Sequence, residues 1–140
     1  MQIKEVMSPK PEILAADATI REAAIEMRDL ASGAMPIYKE DKLIGVVTDR
    51  DITVRGIAEG RSPDDKVKDI LTNDVFYCFE GDEIKEALKN MHEKQVQRFI
   101  VLDNPDNKEL VGIVSVADIA DHCKDDESAR AIAECCSHYH

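Results

Sequence analysis

The sequence predicts an α/β (α+β) fold: two β-α-β-β-α modules packed as a pseudo-twofold pair, plus a C-terminal helix. Three observations carry that prediction. The stretch GVVTDRDI at 45–52 returns as GIVSVADI at 112–119. Each copy follows two short apolar runs, and each pair of runs follows a stretch of helical periodicity. Self-similarity of this kind is the signature of a repeated structural unit.

The elements can be justified in order. The leading segments IKEVMSP (3–9) and VKDILTN (67–73) match at an offset of 64, pairing Val6 with Ile70. The same offset carries ATIREAAIEM (18–27) onto DEIKEALKNM (82–91). Ile20, Ala23, Ala24, Met27 and Ala31 recur at helical spacing, as do Ile84, Ala87, Leu88 and Met91. Thr19 followed by Glu22 reads as a capping box opening the first helix, and Gly33 as its stop. AMPIY and LIGVV, then RFIVL and LVGIV, are the right length for buried strands. Beyond them the offset becomes 67, because the polar insertion NPDNKE (104–109) lengthens the second hairpin loop. A second helix follows each motif, around Ile52 to Ala58 and from Val116 to His122. The tail shows Ala129, Ile132, Ala133 and Cys136 at helical spacing, a helix that covers the pair or joins a neighbouring copy. The chain thus divides into a first module at 1–60, a linker at 61–66, a second module at 67–124 and a tail helix at 125–140.

Composition bounds the function. A net charge of −11 argues against nucleic acid, whose binding relies on Lys and Arg neutralising phosphates. No apolar run approaches a membrane span, and MQIKEVMSPK lacks a signal peptide's apolar core, so the expectation is cytoplasmic. Four cysteines in such a chain are expected as free thiols.

The repeated motif has a plain structural explanation. A hydroxyl residue ending a strand, with an acid three positions on, is what a helix start requires. Local physics alone favours that capping role. Two features add a functional one: the frame recurs in both repeats, and strand-to-helix junctions of α/β units commonly hold small ligands. An aspartate there can accept hydrogen bonds from both hydroxyls of a sugar diol.

The duplicated unit, the VMSP segment (6–9), the Met-Pro-Ile strand and the motifs GVVTDRDI and GIVSVADI resemble the CBS domain, the cystathionine-β-synthase-type module found in tandem. The resemblance covers about Met1 to Lys124. It implies a regulatory, non-enzymatic, energy-sensing module, with no required cofactor, that binds AMP, ADP, ATP, S-adenosylmethionine or NADH in the cleft between the modules. It further implies a homodimer and a regulated partner protein. The ribose-binding aspartate falls on Asp51 and Asp118, and its hydroxyl partner on Thr48 and Ser115. The adenine slot falls around Ile13 and Leu14 or Val75 and Phe76. For the phosphates, Arg50 and Arg55 follow the first motif, and Arg98 precedes a strand of the second repeat. The two sites are therefore expected to be unequal. Arg50 and Arg55 can equally be a solvated face or partners of a neighbouring acid. The alternative is a protein-interaction or dimerisation module with degenerate, ligand-free clefts.

Other constellations carry less. Cys135, Cys136, His138 and His140, with His122 and Cys123 upstream, lack the spacing of a zinc knuckle, so no metal is expected. No catalytic triad or glycine-rich phosphate loop can be placed, and His92 reads as a surface histidine.

Overall fold

The computed structural model describes residues 1–137. The chain forms two compact units: residues 12–75, and residues 1–11 together with the chain from 76 onward. These units do not coincide with the sequence repeats, because each repeat's leading segment lies in the unit built from the other repeat.

In the unit of residues 12–75, β2 (Leu14–Ala15) runs parallel to β3 (Ala34–Lys39), which is antiparallel to β4 (Lys42–Thr48). Helix α1 (Ile20–Leu30) connects β2 to β3 and buries Ile20, Ala23 and Met27. The expected capping box opens it: Glu22 N–H donates to Thr19 Oγ1 at 3.0 Å, and Thr19 N–H to Glu22 Oε2 at 3.1 Å. Its end differs from expectation. The chain leaves the helix at Ala31, with φ of 52°, two residues before Gly33. Ser32 N–H reaches back to Met27 O at 3.1 Å, and that closure requires a left-handed residue at position 31. Ile20, Ala23, Met27, Met35, Ile37 and Val47 pack with Val67, Ile70 and Leu71 as the core of this unit.

After β4 comes one turn of α2 (Asp49–Asp51) and then a π-helical stretch, Ile52–Ile57. Ala58 N–H bonds Thr53 O at 2.9 Å and Arg61 N–H bonds Gly56 O at 3.0 Å, five residues back in each case. Ile52, Thr53 and Val54 are all β-branched, and Thr53 Oγ1 donates to Asp49 O at 3.1 Å. Both features weaken an ordinary α-helical ladder here.

In the other unit the strand order is β1 (Ser8–Pro9), β7 (Leu110–Ser115), β6 (Arg98–Leu102), β5 (Tyr77–Phe79). β5 is parallel to β6, and the other pairings are antiparallel. Helix α3 (Ile84–Lys94) buries Ile84, Ala87, Leu88 and Met91. α4 (Val116–His122) follows β7, and α5 (Asp126–Cys136), capped by Asp125, packs against α3 and α4. The tail helix thus forms, but its buried face is Ser128, Ala131, Ile132 and Cys135, one position round from the expected stripe. Ala129 and Ala133 carry too little area to set the rotation. The thiol of Cys135 instead turns inward, donating to Leu88 O at 3.3 Å.

The leading segments repeat one another closely. Each begins with a 3₁₀ turn, Ile3–Glu5 and Val67–Asp69, and then reaches an edge strand. Ser8 pairs with Ile113 on β7, and Thr72 pairs with Val46 beside β4. The motif glycines make this approach feasible. A Cβ on Gly45 would lie 2.6 Å from Thr72 O and 2.6 Å from Leu71 Cδ1. On Gly112 it would lie 2.5 Å from Met7 Sδ and 3.0 Å from Ser8 O. The Gly45 obstacle includes rigid backbone, whereas the closest one at Gly112 is a flexible thioether. Gly45→Ala is therefore expected to cost about 2–3 kcal/mol and Gly112→Ala about 1–2 kcal/mol in urea unfolding; equal or negligible losses would refute the close-approach account.

Candidate functional site

Each repeat places a carboxylate at the junction of its last strand and the following helix. Thr48 ends β4 in an extended conformation; its Oγ1 accepts from Asp51 N–H at 3.1 Å, and Asp51 Oδ2 accepts from Thr48 N–H at 2.9 Å. Ser115 and Asp118 repeat this with the same two distances, 3.1 and 2.9 Å. The capping role is therefore present at both junctions, and each box engages a single carboxylate oxygen. What surrounds the other oxygen differs.

Asp51 is buried. The Thr72 hydroxyl donates to its carboxylate over long contacts of 3.3 and 3.4 Å, and Arg55 Nε lies 3.9 Å from Oδ1. Arg55 is also tied to the main chain, donating from Nη1 to Leu71 O at 3.0 Å. Arg55 thus stands beside a neighbouring acid, one of the arrangements expected for it. Thr72 was not singled out from sequence; its signal is its place in the second leading segment, opposite β4.

Asp118 is half-buried, and its Oδ1 has no hydrogen-bond or ion-pair partner among the described residues. Ser8 and His122 stand where the first junction has Thr72 and Arg55. The Ser8 side chain makes no hydrogen bond within the described residues, and His122 Nδ1 contacts Asp118 O at 2.9 Å, away from the carboxylate. Arg98 opens β6 directly opposite Ser115 in the antiparallel register. The corresponding position opposite Thr48 is Ala34. Arg50 and Arg98 are both exposed, and neither joins an ion pair among the described residues.

The apolar positions cluster near the first strand of each repeat. Ile13, just before β2, is 48% exposed, and Leu14 pairs with Ile37. Val75 is half-buried, while Phe76 is exposed and carries Lys94 Nζ 5.2 Å from its ring centroid. Phe76 O accepts from Ile100 N–H at 3.1 Å. Register follows the offset of 64 found in the sequence and not the placement of the second slot at Val75 and Phe76. Leu14 pairs with Ile37 as Cys78 pairs with Val101, so the counterpart of Ile13 is Tyr77 rather than Val75. Tyr77 is 49% exposed, with Phe79 edge-on at 5.7 Å between ring centroids.

The four cysteines are free thiols: Cys78 and Cys135 buried, Cys123 half-buried, Cys136 exposed. Among the described residues, no three His, Cys, Asp or Glu side chains gather as a metal site. His138 and His140 lie outside the described residues. No helix among the described residues is long and apolar enough to cross a membrane. Burial, with Asp82 nearby, pushes the Cys78 thiol up to about 12, and burial raises Cys135 as well.

Three comparisons bear on these junctions. A family model described as CBS domain matches residues 3–55 and 67–125. Hypoxic response protein 1 of Mycobacterium tuberculosis is 34% identical over 136 residues, spanning 96% of this chain and 93% of its own. A crystal structure of a protein of that name, with two coordinated zinc ions, superposes with a TM-score of 0.75 at 33% identity, over 89% of this chain and 100% of that one. The CBS domain pair of protein MJ0100, in complex with 5′-methylthioadenosine and S-adenosyl-L-methionine, gives a TM-score of 0.74 at 28% identity, over 86% of this chain and 94% of that one. The CBS domain protein PAE2072 from Pyrobaculum aerophilum, complexed with AMP, gives 0.76 at 25% identity, over 95% of this chain and 98% of that one.

Two outcomes follow from the junction chemistry and the thiols. Thr48→Ala and Ser115→Ala each lose about 1 kcal/mol in urea unfolding, whereas Thr48→Ser is close to neutral; an alanine variant as stable as the parent would remove the cap from the account. Alkylation of the native chain at pH 8, followed by mass spectrometry, labels Cys136 first and Cys123 next, with Cys78 and Cys135 modified only on unfolding. The Cys78 thiol ionises at about 12 when folded and near 8.5 when unfolded. Its contribution to stability is whole below about pH 8.5 and is lost as pH rises towards 12.

Proposed function

The chain belongs to the CBS-domain family, and from that footing we propose that it is a regulatory module whose strand-to-helix junctions bind an adenosine-containing ligand. The observation that carries this reading is the junction itself: a carboxylate that needs only one oxygen for its cap and keeps lone pairs for a ribose diol. At Asp118 that second oxygen has no partner among the described residues. A sugar's vicinal hydroxyls present two donors at a spacing that one carboxylate can accept.

The remaining roles follow from position. Ser115 and Thr48 keep the carboxylates oriented through their caps and turn a hydroxyl lone pair towards the ligand. Arg98 and Arg50 supply positive charge for phosphates or a carboxylate, which an acidic chain otherwise repels. Ile13, Leu14 and Val75 in one unit, and Phe76 and Tyr77 in the other, are each apolar surface available to an adenine ring. CBS pairs similar to this chain at 25–28% identity are complexed with AMP, and with 5′-methylthioadenosine and S-adenosylmethionine. AMP and S-adenosylmethionine are accordingly the first candidates, ahead of ADP, ATP and NADH. Ligand binding shifts the population towards the conformation that binds it better, so regulation needs no chemistry at the site. A cytoplasmic homodimer that passes this shift to a regulated partner protein completes the reading.

One observation favours a second reading. Both aspartates already serve their own helices, so the junctions are structurally sufficient without a ligand, as an interaction module requires. Thermal unfolding with AMP, ADP, ATP, S-adenosylmethionine and NADH separates the two. A true ligand at 100 times its Kd adds roughly 2.7 kcal/mol, a rise in Tm of about 8 °C at this size. That rise is expected with at least one of them and lost in the double variant Asp51→Asn, Asp118→Asn. A flat response to all five leaves the interaction module as the better account.

A further inference from the structure

From the contrast between the two junctions we infer that Arg55 is an internal occupant of the Asp51 site, so that only the Asp118 junction takes ligand in the unmodified chain. The inference rests on the adenosyl-binding reading above and deepens it by assigning the site. It gives the sequence expectation of unequal sites a direction, with Arg98 on the side of the open junction.

The carboxylate of Asp51 is approached from within on both oxygens. Oδ2 accepts from Thr48 N–H at 2.9 Å, the Thr72 hydroxyl reaches both oxygens at 3.3 and 3.4 Å, and Arg55 Nε faces Oδ1 at 3.9 Å. Only 11% of the Asp51 side chain is exposed. The Arg55 guanidinium is held there by a second anchor, its 3.0 Å bond to Leu71 O. At 3.9 Å the contact is an ion pair and not a hydrogen bond, and it sets positive charge beside the acceptor that a ribose diol would use. The guanidinium therefore stands in for the sugar. The π-helical stretch contributes, since the residues from Ile52 to Ile57 follow wider turns than an α-helix and Arg55 lies within them.

At the second junction each element of this lock is missing. His122 replaces Arg55 and turns its Nδ1 to the Asp118 carbonyl, and Ser8 replaces Thr72 without bonding the carboxylate. Asp118 Oδ1 keeps its lone pairs. Arg98, opposite Ser115, adds a cation not spent on a neighbouring acid, and Tyr77 adds an exposed ring two strands from β7.

Isothermal titration of the full chain with AMP, and separately with S-adenosylmethionine, tests the assignment. One equivalent per chain is expected, with affinity about 30-fold weaker in Asp118→Asn, which keeps an oxygen for the cap. Arg55→Ala is expected to raise the stoichiometry to two, and adding Asp51→Asn to Arg55→Ala to return it to one. Hydrogen–deuterium exchange on the unmodified chain reads the same point without a variant: ligand protects the amides of 115–119 and leaves those of 48–52 unchanged. Two equivalents in the unmodified chain, or protection centred on 48–52, overturns the assignment while the adenosyl reading stands. No heat and no protection with either ligand, in the unmodified chain and in Arg55→Ala alike, overturns both.

Discussion

The constraint on which the rest depends is the absence of a side chain at two positions. Gly45 and Gly112 let a leading segment lie against β4 and β7 more closely than any Cβ permits. Because Thr72 can exchange main-chain hydrogen bonds with Val46, at 2.9 and 3.1 Å, Val67, Ile70 and Leu71 are delivered into the core of the unit formed by residues 12–75. Because Ser8 pairs beside Gly112, Ile3 and Val6 enter the core of the other unit in the same manner. A short leading segment has few hydrogen bonds of its own. Its order comes from burying these aliphatic side chains, each stabilising by about 1.5–3 kcal/mol when fully removed from water.

The same approach sets the chemistry of the junctions. Thr72 reaches Asp51 only because its backbone is already paired with Val46, three residues after which Asp49 begins the helix. The motif's glycine and its aspartate thus act together: one admits a strand, and the other meets what that strand carries. Where the segment brings a threonine, the carboxylate gains a hydroxyl; where it brings Ser8, that contact is missing. Burial follows the same division, with Asp51 enclosed and Asp118 half open.

The sequence made much of this legible because the signals were local and doubled. A hydroxyl and an acid three positions apart specify a capping box whatever surrounds them, and Thr19, Thr48 and Ser115 all make one. Strand lengths and the hairpin insertion were legible for the same reason. Most features that were not legible depend on neighbours distant in the chain, although the end of α1 is local. Ala31 takes the left-handed position because the Met27 carbonyl must be met, although Gly33 is the easier residue for it. The rotation of α5 depends on Leu88 accepting from Cys135, and two overlapping small-residue stripes in the tail made either face plausible. The exchange of leading segments between units has no local signature at all. The place of Tyr77 is a different case: the offset of 64 already carries Ile13 onto it, and its pairing with Ile100 keeps that register.

The repeats differ in the core as well, with Met35 against Phe99 and Ile3 against Val67, but the differences that bear on the junctions are few. The positions that build each junction are the same or nearly so: Gly45 and Gly112, Thr48 and Ser115, Asp51 and Asp118, Ile52 and Ile119. The positions that address the free carboxylate oxygen are Thr72 against Ser8, Arg55 against His122 and Ala34 against Arg98. Apart from the buried Ala34, these lie at a helix surface, a strand start or an edge, where substitution costs little stability. The ion pair of Arg55 with Asp51, at 3.9 Å between a half-exposed guanidinium and a carboxylate that already has hydrogen-bond partners, contributes at most about 1 kcal/mol to folding. Folding stability alone thus gives little reason to keep Arg55 bonded to Leu71 O and facing Asp51, and the consequence with physical weight is at the carboxylate. One copy's second carboxylate oxygen meets a guanidinium and a hydroxyl from within its own unit, and the other's meets neither, while both junctions keep the same cap.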